Sequence, residues 1–216
     1  MNNTNAETGA LSRQESLQQL RQTRRFDLLV VGGGATGLGV ALDAATRGLS
    51  VALVERDDFA KGTSSRATKL VHGGVRYLAQ GNVSLVREAL RERKAALHNA
   101  PHLVQPLPFL MPEFGLKGRL WDRLFYGTGL ILYDLLAGKA GLGNTQFLNR
   151  SETLRALPGV RTEDLVGSVQ YWDGQFDDAR MAVMLARTAA AHGAVVLNHC
   201  PVRALLHVGG KVCGAS

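Results

Sequence analysis

Apolar residues in the first quarter of the chain come in short blocks separated by glycine. Leu28–Val31 is an unbroken apolar run of strand length, followed at once by Gly32, Gly33 and Gly34. Such a run reads as a strand buried on both faces. Leu38, Ala41, Leu42 and Ala45 then fall at i, i+3, i+4 and i+7, which predicts a helix with one face for a sheet. Gly48 stands where a C′ glycine ends such a helix. A second apolar run from Val51 ends on the acid Glu55. Strand, turn, helix and strand in this order predict a βαβ unit with parallel strands.

The pattern is less regular afterwards. Thr63, Ser64 and Ser65 suit a short capped helix, and Gly73–Gly74 would break any helix before them. Paired glycines inside a fold suggest the close approach of a planar ligand or of another backbone. Asn82 is placed to cap a helix with Val86, Leu90 and Leu97 on one face, and Arg87, Arg91, Arg93 and Lys94 read as its solvated side. Pro101, Pro106, Pro108 and Pro112 forbid a long helix and predict an extended edge or crossing segment. Leu120–Lys139 reads either as a core helix broken at Gly127 and Gly129 or as a segment lying on a bilayer, core packing being favoured. A loop at 138–143 and a short helix from Ser151 come next. Leu165–Tyr171 predicts a strand, Asp173–Gly174 a turn, and Asp177 caps a long helix closed by Gly193. Ala194–Asn198 and Val202–His207 predict strands, with Gly209–Gly210 turning the chain back. Three parallel strands are thus expected, at 26–31, 51–55 and 194–198. A doubly wound sheet uses more, so the chain is expected to be the N-terminal part of a longer protein.

Chemistry enters with the glycines. Gly32, Gly34 and Gly37 have the G-x-G-x-x-G spacing, and Glu55 follows about twenty residues on. This is the arrangement of a dinucleotide site. The first glycine makes the turn, the second admits a pyrophosphate to the backbone, and the third brings helix and strand together. Gly33, Ala35 and Thr36 complete the loop, whose helix N-terminus presents N–H groups to phosphate. Glu55 is placed to accept from a ribose hydroxyl pair.

Composition narrows the partners. The 216 residues carry a formal charge of +7, which suits nucleic acid, an anionic membrane surface or anionic small substrates. No basic run interleaved with aromatics and no zinc-finger spacing occurs, so nucleic acid is not expected. Cys200 and Cys213 are too few and too far apart for a disulfide framework or metal knuckle and suit a reducing compartment. Residues 1–25 are polar and read as a flexible extension or a short solvated helix, without the apolar core of a signal peptide. No membrane span is expected, because Asp122, Arg123 and Asp134 interrupt the most apolar stretch.

Three longer motifs carry a resemblance: GGGATGLGVALDAATRGLSVALVERDDFAKGTSSRATKLVHGGVRYL from Gly32, LVREALRERKAALHNAPHLV from Leu85, and GSVQYWDGQFDDARMAVMLARTAAAHGA from Gly167. Together they resemble the flavin-dependent, quinone-linked glycerol-3-phosphate dehydrogenase family over residues 26–216. The resemblance implies an α/β Rossmann-like FAD-binding domain of the D-amino-acid-oxidase type, incomplete at its C-terminus. It implies FAD as cofactor, glycerol 3-phosphate as substrate and membrane quinone as electron acceptor. It places the protein at an anionic membrane surface on the cytoplasmic face of the cell membrane, and a homo-oligomer is compatible with it.

By the same resemblance, Gly32, Gly34 and Gly37 hold the FAD pyrophosphate and Glu55, with Arg56 beside it, the adenosine ribose. Thr63, Ser64 and Ser65 sit beside the pyrophosphate and ribityl chain, and Lys69, Leu70, His72 and Gly73 line the flavin ring. Oxidising a secondary alcohol removes a hydride from carbon and a proton from oxygen. His72 is the candidate base, with a core imidazole bonded to backbone as the alternative. Arg76 offers a guanidinium fork to the substrate phosphate, and Tyr77 adds a hydroxyl; packing or a contact to a flavin phosphate is the alternative for both. Rival readings are an oxidase handing electrons to oxygen, a flavoprotein acting on amines or hydroxy acids, and a chain that folds without turnover.

Overall fold

The structure, a computed structural model, describes residues 12–23, 25–74, 77, 80–115, 129–138 and 141–216. In chain order its elements are α1 (Arg13–Gln22), β1 (Leu28–Val31), α2 (Ala35–Thr46), β2 (Val51–Val54), a 3₁₀ turn (Thr63–Ser65), β3 (Leu70–Val71), α3 (Val83–Asn99) and β4 (Val104–Phe114). After the helical segment 129–137 come β5 (Gln146–Asn149), α4 (Arg150–Ala156), β6 (Leu165–Phe176), α5 (Asp178–Ala191), β7 (Val195–Leu197), β8 (Leu205–Val208) and β9 (Lys211–Ala215). The stretch from residue 26, read as one domain portion, folds as two compact units. One runs to Thr68 and resumes at Asp177; the other is Lys69–Phe176.

In the first unit β1, β2 and β7 form a parallel sheet in that order. These are the three strands expected from the apolar runs. On one face lie α2 and α5, which bring Leu38, Ala41, Ala45, Ala182, Ala186 and Ala189 against Val30, Val51, Leu53 and Val196. Small residues on both helices let them lie close on the sheet, so the core is almost wholly aliphatic. Gly48, at φ +81°, ends α2 as expected.

Two expectations change here. Only Val30 of β1 is buried, and Val31 is 58% exposed. Strand β1 pairs with β2 alone among the described residues, so its apolar run belongs to a sheet edge. Of the two readings of the N-terminal stretch, residues 13–22 take the helical one. This helix is docked: Leu17 and Leu20 pack against the cluster of Ala52, Val54, Val195 and Leu197 on the other sheet face. Ser12 caps it, and Arg13 donates from Nη1 to the Asn198 carbonyl and side chain.

The second unit is built on β6, which pairs antiparallel with β4 along one edge and with β3 and β5 along the other. Among the described residues the proline-rich segment is therefore an edge strand, as expected. Pro106, Pro108 and Pro112 share one parity within β4. In an antiparallel pair alternate residues send their N–H groups to opposite sides, so all three missing donors fall on the side away from β6. Val86 and Leu90 of α3 meet Tyr133 and Ala137 of the segment 129–137. Core packing is thus what residues 129–137 do; Gly127 and the rest of 116–128 lie outside the described residues. Asp173–Gly174, expected as a turn, lies inside β6. Gly174 is held there because a Cβ would come 2.9 Å from the Val71 carbonyl oxygen on the neighbouring strand.

Candidate functional site

The glycine loop sits where β1 meets α2, and each glycine has its own reason. Gly32 turns at φ +115°, in the region that disfavours a side chain. Its N–H still donates to the Val54 carbonyl at 2.9 Å, so the turn is tied to the sheet. A Cβ on Gly37 would lie 2.0 Å from the Gly32 carbonyl oxygen, which is the close helix–strand approach expected of the third glycine. Gly34 is the N-cap of α2 and offers no side-chain acceptor. The Ser64 hydroxyl takes that place, accepting from the Ala35 N–H at 2.9 Å. Ala35 and Thr36 are exposed on the first turn.

Glu55 reaches back over the loop. Its Oε2 accepts from the Gly33 N–H at 2.7 Å and its Oε1 from the Asp57 N–H at 2.8 Å. A Cβ on Gly33 would come 2.8 Å from both Glu55 Cβ and Phe59 Cδ1. This packing role of Gly33 does not follow from the glycine spacing. An ionised carboxylate has about four acceptor positions, so the two bonds orient Glu55 and leave it capacity for a diol.

Beside Glu55 opens a cleft of about 510 Å³, within the range of small-molecule sites. Gly34, Thr63, Ser64, Arg56, Lys61 and Arg66 are among its lining residues. Asp57 holds Lys61 at 2.8 Å and Arg56 at 3.0 Å. Lys61 first, with Arg56, holds the Asp57 carboxyl below its usual range. Asp58 is likewise lowered by the Asn198 side-chain amide and the Phe59 N–H. The 3₁₀ turn carrying Thr63, Ser64 and Ser65 is fastened by Asp178, whose Oδ2 accepts from the Ala67 N–H at 3.0 Å. The first unit thus brings together Gly32–Gly37, Glu55, Arg56 and Thr63–Ser65.

Lys69, Leu70, His72, Gly73 and Tyr77 belong to the second unit, and Arg76 lies outside the described residues. Leu70 is in β3; Lys69, before it, adopts φ +60° and accepts from the Phe176 N–H at 2.9 Å. His72 is exposed directly after the strand, and Tyr77 is exposed beyond Gly74.

Gly73 is buried, and its N–H donates to Asp173 Oδ1 at 3.0 Å. The same oxygen accepts from Arg93 Nη1 at 2.9 Å and from the Gly174 N–H at 3.0 Å. Arg93 Nη1 also donates to the Tyr133 hydroxyl at 2.8 Å. Arg93 and Tyr133 are 1% exposed and Asp173 is 4% exposed. Arg93 therefore leaves the solvated side expected for it: it follows Val86 by seven residues and Leu90 by three, on the buried stripe of α3. That spacing was the signal that could have found it; an acid inside the strand sequence VQYWDGQF was the signal for Asp173. Burial, then the Asp173 charge, raises the Tyr133 hydroxyl well above its ordinary value, so it stays protonated.

Relatives place these motifs in a family. The chain is 51% identical to a glycerol-3-phosphate dehydrogenase of Mycobacterium leprae over 89% of its own length and 32% of the relative's. It is 47% identical to a probable mitochondrial glycerol-3-phosphate dehydrogenase of Caenorhabditis elegans, over 99% of its length and 30% of that protein. Among solved structures, the glycerol-3-phosphate dehydrogenase of Bacillus halodurans complexed with FAD superimposes with a TM-score of 0.68. Its identity is 34%, covering 96% of this chain and 33% of that one. The chain thus spans about a third of the length of each of these three proteins, and the resemblance carried by its three motifs is borne out. A profile of the FAD dependent oxidoreductase family, DAO, matches residues 27–215, and the chain belongs to that family.

Proposed function

We propose that the protein of which this chain forms all or part oxidises sn-glycerol 3-phosphate to dihydroxyacetone phosphate with FAD as cofactor, electrons passing to membrane quinone. The observation that carries this reading is the 47–51% identity to glycerol-3-phosphate dehydrogenases over 89–99% of this chain. The loop fits FAD: Gly34 leaves the start of α2 without a side chain, the Ser64 hydroxyl sits at the Ala35 N–H, and Glu55 is oriented beside an open cleft. Gly32–Gly37 would hold the pyrophosphate, Glu55 and Arg56 the adenosine ribose, and Thr63, Ser64 and Ser65 the phosphate and ribityl hydroxyls. Lys69, Leu70, His72 and Gly73 would meet the ring. FAD, when bound, supplies a two-electron acceptor for the carbinol hydrogen.

The chain's own residues do the rest. His72, exposed directly after β3, takes the hydroxyl proton. Arg76 binds the substrate phosphate through its guanidinium fork, and Tyr77 donates its hydroxyl to the same group. The +7 charge supports residence at an anionic membrane surface, on the cytoplasmic face of the membrane, each basic residue there contributing about 1 kcal/mol. No helix among the described residues is long and apolar enough to cross a membrane. A homo-oligomer is compatible with this placement.

The test is the visible spectrum of the purified protein with FAD, before and after anaerobic glycerol 3-phosphate. Uptake followed by bleaching of the flavin band is expected. A protein that takes up no FAD overturns the cofactor, and one that keeps its band overturns the substrate. Turnover with a soluble quinone analogue, without peroxide release in air, is expected; peroxide as the main product replaces quinone by oxygen.

A further inference from the structure

The function just proposed uses none of Arg93, Asp173 and Tyr133, three buried polar side chains of the second unit, yet all three converge on one backbone group. Asp173 Oδ1 receives Arg93 at 2.9 Å and the Gly73 N–H at 3.0 Å, and Arg93 in turn holds the Tyr133 hydroxyl at 2.8 Å. A Cβ on Gly73 would stand 2.0 Å from that hydroxyl and 2.6 Å from Leu90 Cδ2. The space the missing side chain leaves is therefore filled by the protein's own Tyr133. Gly74, next along, turns at φ +80° with Tyr77 2.8 Å from where its Cβ would be. The segment after β3 is thus held by a charged hydrogen bond on one side and by packed groups on the other, while the intervening His72 stays exposed.

A buried ion pair is a poor source of stability, because desolvation offsets much of its attraction. Its geometric effect is stronger: a carboxylate fixed by a guanidinium presents its oxygen along a defined direction. Here that direction is the Gly73 amide. Shape alone could have filled this core with aliphatic residues, as it does in the first unit, but aliphatic residues cannot fix a peptide plane. We infer that Arg93, Asp173 and Tyr133 are positioning residues for the His72–Gly73 peptide, setting where the exposed imidazole sits for the alcohol oxidation. This rests on the function proposed above. The three side chains touch neither substrate nor cofactor in this assignment and act only through Gly73.

The test compares Tyr133→Phe and Asp173→Asn with Thr153→Val, which disturbs another buried polar contact of the same unit, the 2.9 Å pair with the Ser168 hydroxyl. The first readout is amide hydrogen exchange at Gly73 in the cofactor-free chain. Exchange is expected to quicken about tenfold or more in Tyr133→Phe and Asp173→Asn and to stay unchanged in Thr153→Val. The second readout is the FAD-loaded protein: kcat is expected to fall about 10²-fold with KM held, and the flavin absorption band to shift, in the first two variants only. If Asp173→Asn does not fold, Tyr133→Phe, which keeps both charges, carries both readouts. Unchanged Gly73 exchange overturns the clamp. Faster exchange with an unmoved kcat and flavin band makes the network merely structural and overturns the inference. Equal kcat losses in Thr153→Val overturn it too. A wild-type chain that takes up no FAD overturns the underlying function instead, and the Gly73 exchange data then show separately whether the clamp exists.

Discussion

The two units of the chain fill their interiors with different materials. In the first, Leu38, Leu53, Val51, Val196 and a set of alanines on α2 and α5 make a core held by shape. In the second, Arg93, Asp173, Thr153, Ser168 and Glu113 are buried beside Tyr133, Leu90 and Val169. A glycine in each shows the contrast. Without a Cβ at Gly37 one backbone meets another, whereas without one at Gly73 a backbone meets a phenol. The aliphatic core makes a rigid platform for the glycine loop. The polar core spends its directionality on a single peptide.

The contrast is sharpest if one charge is removed. Asp173→Ala removes the carboxylate that compensates the buried Arg93 charge and is expected to cost about 3–5 kcal/mol. The paired change Arg93→Met with Asp173→Leu is expected to recover most of that stability. Urea unfolding followed by the fluorescence of Trp172, on β6, measures both; equal stability of Asp173→Ala and wild type would erase the distinction between the cores. In the first unit the largest cost should come from volume. Leu53→Ala is expected to lose about 2–5 kcal/mol and Leu53→Val less, because the cost tracks the space left behind. Chemical denaturation of both variants checks the gradation.

Overpacking comes next. Gly37→Ala should cost about 1–3 kcal/mol and weaken FAD uptake, since helix and turn must part to admit a methyl group. A melting curve and an FAD titration on the same sample test both halves. The smallest effect is electrostatic. The Ser50 hydroxyl and N–H hold the exposed Asp27 carboxyl below its usual range. A depressed folded value stabilises the protein above the ordinary carboxylate pKa of about 4 and is lost as pH falls through the lower folded value. Asp27→Asn should therefore melt slightly below wild type at pH 7, and the two curves should converge in acid. A gap that widens in acid would reverse the sign.

These differences explain what could be read from the residues. The three parallel strands, α2 with its Gly48 stop and the edge character of the proline segment were legible, because each follows from local periodicity or from a missing donor. Arg93 was misread because charge outweighed spacing: at i+3 from Leu90 it lies on the apolar stripe, and only its distant partner Asp173 makes burial tolerable. Asp173–Gly174 was misread for the same reason, as the dipeptide favours a turn until a neighbouring strand claims the glycine. The burial of β1 was overestimated because an apolar run does not say how many strands flank it. Asn149 and Glu152 form a capping box at the start of α4 whose N-x-x-E spacing was available in the sequence. At the glycine loop, spacing anticipated the turn at Gly32 and the contact at Gly37. It could not show that Glu55 crosses to Gly33, which needs the second strand in place.

The even-numbered prolines of β4 bear on assembly. With no donors at Pro106, Pro108 and Pro112 along its outer margin, that border cannot recruit a further strand by a regular ladder. Sheet-to-sheet polymerisation is blocked there by covalent structure, whatever the concentration, and a nascent chain is guarded against mispairing from the moment those three rings are made.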